Sequence, residues 1–114
     1  MTPADNEIAA EAASSLLKIG GASFLDLWRA NTTVLARCFP AQDGVRQYDA
    51  CAADHALALH LVIQSACDVT IERLMRHSAL ARPKYNHSEY LPYVIKCAKR
   101  FTQPGGLQPQ ESAT

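Results

Sequence analysis

A chain of 114 residues, 48% of them hydrophobic, has room for one domain with a buried core and no room for two. Its formal net charge is zero but unevenly spread: residues 1–71 carry four cations against eight anions, and residues 72–100 carry seven cations against two anions. A basic face therefore remains open to a phosphate, which feels charge only within about 10 Å, while no run approaches the roughly 20 apolar residues of a membrane span.

In chain order the apolar residues recur with helical period, and nothing alternates with period two. A first helix is predicted from Asp5 to Ile19, with Ile8, Ala12, Leu16 and Ile19 on one face, ended by Gly20-Gly21 in the left-handed conformation. Ser23 with Asp26 has the form of a capping box and opens a second helix that turns Phe24, Leu27, Trp28 and Leu35 inward, with Thr32-Thr33 as its weak point. Pro40 and Asp43-Gly44 mark a loop. The next helix, Ala52 to Ala66, is apolar almost all round and is expected to be the central one, with Leu61 in the core. Asp68 or Thr70 caps a shorter helix whose Ile71, Leu74 and Met75 face the core, and Pro83 stops a turn that follows it. A last helix from Ser88 to Phe101 buries Leu91, Val94, Ile95 and Ala98 and holds Pro92 in its first turn. The sum is an all-α fold, a single small bundle of about five helices over residues 1–101 with a flexible, breaker-rich tail over 102–114. The acidic, Ala-rich start is unlike a leader peptide, and Cys38, Cys51, Cys67 and Cys97 lack C-x-x-C spacing, so a cytoplasmic protein with reduced thiols is expected.

The chemistry-bearing residues crowd the second half. Arg73, Arg76, Arg82 and Lys84, joined by Lys96, Lys99 and Arg100, have the composition of a track for DNA phosphates, with Tyr85, Tyr90 and Tyr93 available to stack on bases. The competing reading is ordinary solvated helix faces, since Glu72 precedes Arg76 by four residues and cations near a helix end offset its dipole. Ser78 either binds a phosphate beside these cations or caps the turn that follows, the commoner use of such a serine. Cys51, His55 and His60 have helical spacing suited to metal ligands, but a structural zinc takes four and no second pair stands near, so no metal or other cofactor is expected. Asp49 and Asp54 suit a helix N-terminus better than they suit acid-base catalysis. Neither a phosphate-binding P-loop nor a nucleophile elbow occurs, and no enzymatic activity is expected of the chain.

Several phrases fall in an order that resembles the accessory helix-bundle domain of phage and plasmid DNA primase-polymerases of the archaeo-eukaryotic primase superfamily. Leu27-Trp28-Arg29, Tyr48-Asp49-Ala50-Cys51-Ala52-Ala53-Asp54-His55-Ala56-Leu57, Leu74-Met75-Arg76-His77-Ser78-Ala79-Leu80, Arg82-Pro83-Lys84-Tyr85 and the run from Tyr90 to Ala98 match its landmarks. Cys51 stands where that family usually has Ser, Tyr85 where it has Trp, and Leu61-Val62-Ile63 replaces a more aromatic phrase. The resemblance implies a non-catalytic module that engages template DNA, single-stranded by preference, and an initiating nucleotide, for a primase-polymerase or helicase domain. Arg73, Arg76, Ser78, Arg82, Lys84, Tyr85, Lys96 and Lys99 are the residues on which that role would fall. The alternative from another class is a helical adaptor or inhibitor encoded by a mobile element, with a dimerisation domain behind it.

Overall fold

The computed structural model describes residues 2–64 and 66–102. They form six α-helices, a two-stranded hairpin and one 3₁₀ turn. The helices are α1 (Pro3–Ser14), α2 (Phe24–Trp28), α3 (Thr32–Cys38), α4 (Ala50–Ile63), α5 (Asp68–His77) and α6 (Tyr90–Arg100). The tail assigned to 102–114 lies, from residue 103 on, outside the described residues. Among the described residues no helix is long and apolar enough to cross a membrane.

Helix α4 is the axis of the molecule. Ala53, Ala56, Leu57, Ala58 and Leu61 are buried on it, and α1, α2, α5 and α6 lean on it. Its N-cap is Asp49, which accepts from the Ala52 N–H at 3.1 Å. Helix α6 packs against it most extensively through Leu91, Val94, Ile95 and Ala98, and α5 supplies Ile71, Leu74 and Met75 to the same core.

The first third departs from the sequence reading. Helix α1 stops at Ser14, five residues short of the expected end, because Gly20-Gly21 is a hairpin turn and not a helix cap. Both glycines have positive φ, 63° and 95°, the pair of values a two-residue connection needs, and Lys18–Ile19 pairs antiparallel with Ala22–Ser23 across it. Leu16, expected on the buried face, is 96% exposed, while Ala22 and Phe24 take the inward positions. A Cβ at Gly20 would meet the Phe39 ring at 2.8 Å, so the turn also closes on its neighbour. The Ser23–Asp26 capping box forms as read. The second helix is two: Ala30, at φ 50°, breaks it, and Asn31 caps α3 by accepting from Val34 N–H. Leu61 is fully buried, whereas Trp28 is only partly so, stacked on Phe24 with 5.4 Å between ring centroids.

His60 is buried within this core and faces the hairpin. Its Nε2 lies 3.2 Å from the Ala22 carbonyl oxygen, which fixes that nitrogen as the donor. Burial holds the imidazole below its ordinary value, against the smaller opposite pull of that carbonyl. The unfolded chain therefore takes up a proton at higher pH than the folded one. The contribution of this group is present above about pH 6.5 and is lost as the pH drops below it. Urea midpoints at about pH 7.5 and pH 5.5 are expected to decline in the parent and to stay closer together in His60→Gln, whose amide keeps the bond to Ala22. A parallel decline in both would show that other groups set the acid limb. Asp43, which titrates at about 2 because the Val45 and Arg46 N–H groups bond its carboxylate, lies below this window.

Candidate nucleic-acid interface

The basic half of the chain separates into cations spent inside the fold and cations left at its surface. Asp54 is the centre of the first set. It lies on α4 with no exposure at all, an acidic side chain in a largely apolar helix, and such a group persists only when fully partnered. Arg82 donates two bonds to it, Nη1 to Oδ1 at 3.0 Å and Nη2 to Oδ2 at 2.6 Å. The Tyr85 hydroxyl donates to Oδ1 at 2.6 Å and the Tyr90 hydroxyl to Oδ2. Four donors thus converge on two oxygens, from the loop before the 3₁₀ turn Pro83–Asn86, from the turn itself and from the start of α6. The guanidinium also lies 5.3 Å from the centre of the Tyr85 ring. Burial and the facing carboxylate push both tyrosine hydroxyls far above the usual phenol range, and the carboxylate raises Arg82, so each stays in its donor form.

Several of the residues assigned from sequence are drawn into the fold. Tyr85 is 1% exposed and its ring is core, so it offers no face to a base. Arg82 is an internal counter-ion. Ser78 is buried at the end of α5 and donates its hydroxyl back to the Met75 carbonyl at 2.7 Å, so its side chain closes the preceding helix and does not cap the turn that follows. Arg73 holds the buried Asp5 with Nε at 2.6 Å and an Nη at 2.9 Å, tying α5 to α1 and keeping that carboxyl well below the usual range. Lys99 pairs with Asp68, and Arg76 lies 3.6 Å from Glu72 on its own helix.

Lys84, Lys96 and Arg100 have no carboxylate partner among the described residues. Lys96 and Arg100 share a helix face with Tyr93, at spacings of three and seven residues, and all three are exposed. Tyr93 keeps 59% of its surface in solvent. Lys84 extends along the Tyr90 ring, its ammonium 4.7 Å from the centroid, beside an open cleft of about 380 Å³ lined also by His87, Glu89 and Tyr93. Cation, imidazole, carboxylate and aromatic rings converge there on one opening. Of the residues assigned from sequence, Lys84 and Lys96 belong to this surface; the neighbouring Tyr93 is its exposed aromatic.

The histidine and cysteine spacing on α4 resolves into backbone bonds. His55 Nδ1 meets the Cys51 carbonyl at 2.8 Å and His60 turns to Ala22, so the two rings serve different parts of the fold. The chain matches no protein-family model, no curated protein and no solved structure.

Proposed function

We propose that this helical module engages single-stranded nucleic acid through the Lys84–Tyr93 cleft and the Lys96–Arg100 face of α6, without catalysing a reaction itself. The observation that carries the reading is the set of three unneutralised cations around an exposed aromatic. Cations give phosphate neutralisation, and an exposed tyrosine gives a sequence-tolerant platform for a base. The resemblance to the accessory domain of phage and plasmid primase-polymerases makes template DNA the proposed ligand, an initiating nucleotide a second one, and a primase-polymerase or helicase domain the proposed partner. In that reading the Arg-Pro-Lys-Tyr phrase divides its labour: Arg82 and Tyr85 build the scaffold and Lys84 faces the ligand.

Tyr93 tests the reading. In fluorescence-anisotropy titrations with a short single-stranded oligonucleotide, Tyr93→Ala is expected to weaken binding by roughly five- to 150-fold, what one base stack is worth, while Tyr93→Phe retains the affinity. Equal affinity for parent and Tyr93→Ala would remove the aromatic from the interface.

A second reading, a protein adaptor, is favoured by a separate feature. An almost wholly apolar groove of about 290 Å³ runs between the hairpin and the end of α6, lined by Ile19, Phe39, Ala56, Leu59, Ala98 and the half-exposed Phe101. A folded parent that binds no oligonucleotide even at low salt would make this groove the better account.

A further inference from the structure

Cys51 and Lys84 come from elements 33 residues apart and meet at the mouth of the cleft, with the Lys84 ammonium donating to the Cys51 sulfur at 3.3 Å. Cys51 is held on the first turn of α4, and Lys84 follows Pro83 in the 3₁₀ turn with its end laid over the Tyr90 ring. Tyr90 is in turn tied to Asp54, so sulfur, amine and ring are positioned by one bonded network. Lys84 has no carboxylate to draw it away among the described residues, and the pair is open to small solutes, Lys84 being exposed and Cys51 partly so.

We propose that Cys51 and Lys84 are a peroxide-sensitive pair that closes into a reversible sulfur–nitrogen bond. In the first step hydrogen peroxide transfers one oxygen to the Cys51 thiol, giving the sulfenic acid and one water; the sulfur is oxidised by two electrons and the peroxide reduced by two. In the second, the Lys84 ammonium gives up one proton to solvent and the resulting amine attacks the sulfenic sulfur. The S–N bond forms, the S–O bond breaks, and the hydroxyl leaves as water with a proton from the nitrogen. No further oxidant is needed. A thiol reductant reverses the link by attacking sulfur, which returns the amine and leaves a mixed disulfide that a second thiol resolves. The product removes a positive charge from the cleft and joins α4 to the 3₁₀ turn. The link itself does not depend on the nucleic-acid reading.

The test is peptide mapping of the full chain after treatment with hydrogen peroxide, digested with trypsin before and after reduction. The expected result is loss of cleavage after Lys84 and a joined species containing peptides 47–73 and 77–96, lost on reduction and absent from Cys51→Ser and from Lys84→Arg. The same treatment in concentrated urea is expected to give no joined species, because the contact is made by the fold. Cys51 found reduced, or carried on to sulfinic acid with Lys84 still cleaved, would overturn the proposal. So would a joined species that forms equally well in urea.

Discussion

Arg82→Ala is expected to destabilise the fold by about 3 kcal/mol, measured as the shift in urea unfolding free energy. The substitution removes two of the four donors on Asp54 and the only cation bonded to it among the described residues, leaving a carboxylate with no exposure against two phenols. Breaking a buried pair from one side costs about 3 to 5 kcal/mol, and the 27% of Arg82 that remains in solvent places this case at the low end, since water can partly replace the guanidinium. Replacing the carboxylate as well, in Asp54→Leu with Arg82→Met, is expected to recover part of the loss, because the charge that needed a partner is gone. An Arg82→Ala protein that unfolds like the parent would return Arg82 to the surface and to the list of phosphate contacts.

Tyr85→Ala is expected to cost more, about 3 to 5 kcal/mol, the range for removing a large buried ring, with a lost donor to Asp54 added to the cavity. Tyr85→Phe separates the two contributions: it keeps the ring and removes the hydroxyl, and should cost about 1 to 3 kcal/mol, the penalty for a buried acceptor deprived of its partner. The comparison also distinguishes scaffold from interface. A tyrosine that stacks on a base changes affinity and leaves the melting curve alone, whereas Tyr85 as a core ring changes the melting curve first. If Tyr85→Ala melts with the parent, the ring is not in the core.

The helical faces were legible because burial imposes a period that single residues carry. Ile71, Leu74 and Met75, and Leu91, Val94, Ile95 and Ala98, read from spacing, are all buried. Caps with local chemistry were legible for the same reason, as at Ser23–Asp26. The hairpin was misread because Gly20-Gly21 serves a helix end and a two-residue strand turn equally well, and two strands of two residues show no alternation. Capping of α5 by Asp68 or Thr70 also fails: Cys67 occupies the cap, and its sulfur lies 3.2 Å from the Thr70 hydroxyl.

What spacing could not reveal was which cations find carboxylates far along the chain. Arg82 and Asp54 are 28 residues apart, and Arg73 and Asp5 are 68 apart. One signal pointed to the first of these: a single aspartate at the heart of an almost wholly apolar helix requires donors, and Arg82, Tyr85 and Tyr90 are the cluster able to supply them. Burial of Tyr85 depends on how the 3₁₀ turn meets α6, which no local pattern encodes, whereas exposure of Tyr93 follows from the helical period that buries Leu91, Val94, Ile95 and Ala98.

If three surface cations and not the buried arginine carry nucleic-acid binding, single-strand DNA affinity across a salt series will show it. The parent is to be compared with a variant carrying Lys84→Ala, Lys96→Ala and Arg100→Ala. Each phosphate contact removed lowers the slope of log K against log salt by about 0.7 for a single strand, so the triple variant should lose about 2 from that slope while melting like the parent. A parent with no affinity at low salt, or a triple variant whose slope matches the parent's, would contradict the account.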